Sequence, residues 1–424
     1  GLFYFTLLAS LTTSLLCLGF KHPHLDINSV ELGRLISNAP KFHSDPISTK
    51  VVGGIEGLID DVGGGTHNDY YENIVKEVKS VLIANNYNVK AINNDLLRLQ
   101  SPHSSSIIPP VTKNWSKAKP FLPSRKLNTP LEVLFNLLQL GIPVQSNQTA
   151  NLPNLDFLNP LISAGVVHRI PPSPSSPNSH TTYFSTCMIT PISLHSHLPP
   201  NNENQPPPED LYFLTDFPAP YWSSYKLPGP SSNELIMYIG PDTCCLLKSL
   251  PLILPFSSTP SSYNVLDICT GCGVQGITLS RLLNYRNATV KSVKYVDVNE
   301  RARKVVRFNS ILNSVSVGDV VISDVTDGDV RNRLIEDNGI PTILTSNPPF
   351  VPSQEHEAQP MYTSNSKRGD CVFNVTMDLI NRDSRVVRGG IVTEVINPSR
   401  VMEGWDVGVA YCNDRVMTRE EYCG

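Results

Sequence analysis

The chain has 424 residues, is 40% hydrophobic and carries a formal net charge of −4, a length that accommodates two domains and a charge that excludes a broadly polyanion-binding protein. Its nine cysteines, an odd number without regular spacing, exclude a disulfide framework.

Leu2 to Gly19 is an uncharged apolar run with small residues spaced before Phe20 as a signal peptidase needs. Such a run is costly to leave in water, so 1–20 reads as a targeting leader and the chain's one expected membrane contact. A cleavable leader followed by Phe resembles the bipartite signals of algae with complex plastids; a plastid or secretory route is the expectation, with a cytoplasmic location as the alternative. Gly1 in place of Met points to a start further upstream.

From Asp69 to Leu82 the apolar residues Tyr71, Ile74, Val75, Val78, Val81 and Leu82 recur at helical spacing. Pro130 to Gly141 reads as a second helix with a glycine stop, and Leu155 to Gly165 as a third. Val166 and Val167 then open strands. This order predicts a mainly helical, winged-helix-like domain over 30–170. Proline-rich stretches at 103–123, 171–179 and 198–208 cannot pack as regular elements and read as insertions or linkers, with 171–234 a linker carrying short strands.

The informative motifs lie further on. Val265, Leu266 and Ile268 form a buried strand that runs through Asp267 into a turn with Thr270, Gly271, Gly273 and Gly276 and then a helix, an arrangement that brings backbone N–H groups close to a nucleotide-like ligand. The stretch 292–299 is an apolar strand ending in Asp297, placed to bind ribose hydroxyls. A third strand over 319–324 ends in Asp324, with an acidic turn as the alternative reading because Asp327 and Asp329 follow. A fourth, 341–345, delivers Asn347 to the carboxyl edge of the sheet, followed by Pro348, Pro349 and Phe350. That rigid turn offers an amide and a carbonyl to accept hydrogen bonds from an NH2 group, and an aromatic ring to stack on its plane. Stretches 390–396 and 405–411 read as two more strands.

These motifs together resemble class I S-adenosylmethionine (SAM) methyltransferases of the "methyltransferase small domain" type, in the branch that methylates planar nitrogens: HemK-type glutamine methyltransferases and N6-adenine methyltransferases. Leu140-Gly141, Ala164-Gly165, Thr215-Asp216, Gly240-Pro241, Val351 and Arg368-Gly-Asp370 extend the resemblance toward the amino terminus and past the acceptor motif. It implies an α/β Rossmann-like sheet over 235–424 whose last strand pair lies beyond Gly424. SAM is the implied cofactor, with Asp267, Thr270, Gly271, Gly273, Asp297 and Asp324 as its site. Asn347, Pro348 and Phe350 are the implied catalytic residues, acting without metal.

Cys269 stands where the commonest form of the motif has its first Gly. Cys269 and Cys272 also form a Cys-x-x-Cys, which reads as part of the cofactor turn and not as a redox or zinc pair, because no second Cys/His pair has ligand spacing. The acceptor is RNA or protein. The stretch 111–126, with five cations, two aromatics and no acid, favours an RNA base, and a protein glutamine is the alternative. His356 and Glu357 read as parts of an acceptor lid. Two other classes stay open: an inactive SAM-fold scaffold, and an NAD-dependent oxidoreductase, since Gly271, Gly273 and Gly276 also fit Gly-x-Gly-x-x-Gly. The second leaves the Asn-Pro-Pro-Phe turn without a role.

Overall fold

The computed structural model describes residues 66–96, 126–172, 180–194, 209–217, 234–240, 243, 244, 246, 247, 250, 262–336 and 343–348, with strand segments at 351–352, 363–364, 410–412 and 415–417. The leader, the basic stretch 111–126 apart from Lys126, Phe350, His356, Glu357 and the expected strand 390–396 lie outside the described residues. So do the proline-rich stretches, apart from Pro171 and Pro172.

Helix α1 (Thr66–Ala84) buries Tyr71, Ile74, Val75, Val78 and Leu82 on one face, the stripe expected from their spacing. Helix α2 (Pro130–Leu138) begins with a capping box, in which Thr129 accepts from the Glu132 amide while Glu132 reaches back, and with Pro130 where no amide partner is needed. It stops three residues before Gly141, because the Leu140 and Ile142 amides turn back to the Phe135 and Asn136 carbonyls. Gly141 takes φ +63° after that reversal. The buried Gln139 side chain instead donates to the Ile189 carbonyl at 2.7 Å.

Strand β1 (Val144–Gln145), the short helix α3 (Asn159–Ser163) and strands β2 (Val167–Ile170) and β3 (Thr182–Ser185) follow. The three strands form an antiparallel sheet in the order β1-β3-β2, so the expected helices are followed by strands as the valines at 166 and 167 suggest. Next comes an antiparallel pair, β4 (Cys187–Ile192) with β5 (Leu211–Asp216), every residue of which is buried.

The larger unit is a parallel sheet of β6 (Ser262–Ile268), β7 (Thr289–Asp297), β8 (Asp319–Ile322) and β9 (Ile343–Ser346), in the order β8-β7-β6-β9. Helices α4 (Val274–Tyr285), α5 (Glu300–Leu312) and α6 (Gly328–Glu336) connect the strands. Strand order reverses between β6 and β9, which makes their carboxyl ends the switch point where open α/β sheets take ligands. Short pairs β10 (Val351–Pro352) with β11 (Thr363–Ser364), and β12 (Ala410–Cys412) with β13 (Arg415–Met417), complete the described strands. The expected strand 405–411 overlaps β12 at Ala410 and Tyr411.

Helix α5 joins the two sheets. Its Asn309 accepts from the Leu214 amide at 2.7 Å and donates to the Leu214 carbonyl at 3.0 Å. One turn on, Asn313 does the same for Tyr212, at 2.8 and 2.7 Å. Two carboxamides thus continue the ladder of β5 past its last strand, satisfying backbone groups that a bare edge leaves open. Arg301, at the start of α5, grips the Asp216 carboxylate through Nε at 3.0 Å and Nη2 at 2.7 Å. Arg307 of the same helix lies 5.4 Å above the ring of Tyr71 on α1, a cation–π contact.

Candidate active site

The strands of the parallel sheet bring the sequence-nominated residues to one edge. Parallel register pairs Ile268 of β6 with Ser346 of β9, and Asp297 of β7 with Ile322 of β8. The turn from Cys269 and the residue Asn347 therefore leave neighbouring strands at the same height, about 5 Å apart. Asp297 and Asp324 continue the row on the other side. Phe350 lies outside the described residues.

The glycine turn is built by its conformations. Gly273 caps α4 with φ +78°, and Gly271 has φ +53° with nothing within 4 Å of the position a Cβ would take, so the turn opens onto free space there. Cys269 shares the left-handed region at φ +55°. This is the physical reason a glycine is commoner at that position, since a side chain there costs roughly 1–2 kcal/mol. Gly276 is dictated by packing: a Cβ would lie 2.6 Å from Tyr295 Cε1.

Asp267 and Thr270 turn inward. Asp267 is fully buried; its Oδ2 accepts from Thr270 Oγ1 at 2.7 Å and from the Gly276 amide at 3.1 Å, and its Oδ1 from Thr345 Oγ1 at 2.9 Å. These two side chains hold the turn in shape, and Asp267 ties it to β9 two residues before Asn347. Burial pushes the Asp267 carboxyl up to about 6, against hydrogen bonds from Thr270, Thr345 and Gly276 that lower it, while the Asp297 charge adds to the rise. A raised folded value means that the native state binds the proton more tightly than the unfolded chain. Stability is therefore highest below pH 4 as far as this group is concerned, and falls as pH rises toward 6, by about 3 kcal/mol in all. The Asp267→Asn variant lacks this titration. The difference in unfolding free energy between the two proteins, measured from pH 4 to pH 7, is expected to move against the wild type; a pH-independent difference removes the carboxyl from the balance.

Asp297 is half-buried. Its Oδ2 accepts from the Gly271 amide at 2.7 Å and its Oδ1 from the Asn299 amide at 2.9 Å. Burial raises this carboxyl above its ordinary value, opposed by those amides and that of Val298. Asn299 then caps α5 by accepting from the Arg301 amide, so the acid sits where strand, turn and helix start converge. Asp324 is exposed two residues beyond β8. Its Oδ1 accepts from the Thr326 amide at 2.9 Å and Thr326 Oγ1 at 2.7 Å, an Asx turn of the acidic-turn kind.

Burial raises the Cys269 thiol well above its usual value, with the charges of Asp297, Asp267 and Asp324 adding to the effect. The Cys272 thiol is likewise pushed up to about 12, first by burial. Neither thiol readily forms a thiolate by itself near neutral pH. Among the described residues no group of three or more His, Cys, Asp or Glu side chains is placed to hold a metal, and no helix is long and apolar enough to cross a membrane.

Two residues at this edge escape sequence reasoning. Val298, next to Asp297, is an exposed apolar residue at 47%. Thr243 is buried, and its Oγ1 accepts from Asn347 Nδ2 at 3.2 Å across 104 residues of chain. No local pattern announces that contact.

The ribosomal protein L11 methylase of Lactobacillus delbrueckii subsp. bulgaricus is 16% identical, with 33% of this chain and 53% of that one aligned and a TM-score of 0.20. The SAM-dependent methyltransferase of Agrobacterium tumefaciens is 12% identical, with 57% and 64% aligned and a TM-score of 0.29. The chain thus spans less than two thirds of the length of either. No curated protein matches. Residues 244–363 match the family model "Methyltransferase small domain", and the parallel sheet β6 to β9 within them is the α/β Rossmann-like sheet of class I methyltransferases.

Proposed function

We propose that this chain is a SAM-dependent methyltransferase acting on a planar amide or exocyclic amino nitrogen, with an RNA base as the favoured acceptor. The observation that carries the reading is the seating of Asn347 at the end of β9, one strand from the glycine turn that follows β6. A ligand held at the turn and a group held by Asn347 are then neighbours.

The turn itself favours SAM over a dinucleotide. A pyrophosphate uses the amides at a helix N-terminus, but here the Gly276 amide in the first turn of α4 is taken by Asp267 Oδ2. The carboxylates of Asp267, Asp297 and Asp324 around the turn suit a cationic ligand better than a dianionic one. Open space beside Gly271 and the half-buried Asp297 fit a nucleoside with ribose hydroxyls. When bound, SAM supplies a methyl group already activated on a sulfonium, so the protein's work is positioning and charge stabilisation.

An amide or aryl amine is a poor nucleophile because its lone pair is delocalised. Asn347 Oδ1 and the Pro348 carbonyl, by accepting the two N–H groups, aim the lone pair at the methyl and stabilise positive charge as it develops on nitrogen. Phe350 supplies a plane for the acceptor. The basic stretch 111–126 supports RNA over a protein glutamine.

Methyl transfer from labelled SAM to deproteinised total RNA and to RNA-free total protein tests the acceptor: label in the RNA supports the reading, and label confined to protein glutamine overturns its RNA half. For the cofactor, Asp297→Ala is expected to weaken SAM binding by about 1.5–3 kcal/mol, the range for hydrogen bonds to a charged group. Calorimetric titration of the folded variant checks it, and an unchanged dissociation constant takes Asp297 out of the site.

A further inference from the structure

We infer that Thr243 is a positioning residue for methyl transfer: its hydroxyl accepts from the Nδ2 end of the Asn347 carboxamide and so restrains the rotation of the group whose Oδ1 meets the acceptor nitrogen. This inference rests on the nitrogen-methyltransferase reading above.

A terminal carboxamide rotates in a broad, roughly two-fold well, and its two ends have opposite hydrogen-bonding character. If the amide turns over, Nδ2 meets the acceptor's NH2 and donor faces donor. Free rotation of the group must therefore be restrained. Thr243 Oγ1 lies 3.2 Å from Nδ2 and is itself anchored: the residue is 6% exposed, in a helical turn where the Cys244 amide bonds to the Gly240 carbonyl at 3.0 Å. A buried, branched side chain has few rotamers to leave by. The same end of the strand is also braced, since Thr345, two residues before Asn347, donates to the buried Asp267. Asn347 thus follows directly on β9 and is held through its side chain by Thr243, from a part of the chain that belongs neither to the glycine turn nor to the acceptor motif. No proton or electron passes through Thr243; its contribution is orientation.

The test uses the full chain, tritiated SAM, and whichever of deproteinised total RNA or RNA-free protein the wild type labels. Thr243→Val, which keeps the shape and removes the acceptor atom, is expected to lower kcat ~10-fold, the scale of one misplaced hydrogen-bonding partner, with the SAM dissociation constant unchanged. Thr243→Ser is expected to restore kcat. In an Asn347→Ala background Thr243→Val is expected to have no further effect, because the group it orients is gone. A merely structural threonine predicts otherwise: an equal loss in both backgrounds, or a wild-type kcat for Thr243→Val, and either result overturns the assignment. A wild-type kcat for Asn347→Ala alone is a different failure, since it removes the nitrogen-methyltransferase reading and this inference with it.

Discussion

Asn347→Ala is expected to lower methyl transfer by ~10²–10³-fold while leaving SAM affinity nearly intact, the usual effect of deleting one preorganised transition-state partner. The expectation follows from where the residue sits. Asn347 leaves β9 beside the glycine turn, and its side chain donates to Thr243. If the Asn-Pro-Pro-Phe segment served only as a rigid turn, the same substitution would lower the thermal midpoint and leave the folded fraction fully active. Thermal midpoint, SAM dissociation constant and turnover measured on one preparation separate the two outcomes. A well-folded variant with wild-type turnover sinks the nitrogen-methyltransferase assignment.

Removing the guanidinium of Arg301 is expected to cost about 3–5 kcal/mol of stability, because it strands a buried carboxylate. The Asp216 side chain is fully enclosed, and Arg301 is 11% exposed. Asp216 Oδ2 also accepts from the Ile236 amide at 2.8 Å, so one hydrogen bond remains, but a charge without its counterion does not stay cheaply in that environment. Chemical denaturation of Arg301→Met and of the double variant Arg301→Met with Asp216→Leu measures this. The single variant is expected to be the less stable of the two, since the double variant leaves no charge behind. A single variant within about 1 kcal/mol of wild type, the range of exposed pairs, would show that water reaches the site.

Sequence and structure agree where the determining forces are local. The four strands of the parallel sheet show their apolar runs within a few residues, and the turn after β6 announces itself by glycines that two observed positive φ angles require. Asp297 is legible because a strand-end acid is a matter of position along one strand. The stripe on α1 is legible because 3.6-residue periodicity is a property of the helix alone. Asp267 shows the opposite case: in sequence it belongs to the cofactor motif, yet its bonds run to Thr270, Gly276 and Thr345, and the last of these is 78 residues away. The end of α2 was hidden for a similar reason, because Gln139 finds its partners on β4, 50 and 51 residues on. Asn309 within α5 and Asn313 just past its end are, in the sequence, merely asparagines with poor helix propensity. Their purpose becomes visible when β5 is laid against them.

Asn309 does more than extend that strand. The same Nδ2 that donates to the Leu214 carbonyl also donates to the Cys272 carbonyl at 2.8 Å, inside the glycine turn. One side-chain amide thus spans three pieces of chain: a buried strand pair, a helix and the glycine turn. A loop pinned in this way keeps its shape whether or not anything occupies it. The entropy of ordering it is lost when the protein folds and is not charged against ligand affinity later, which lets a short, glycine-rich segment act as a rigid template.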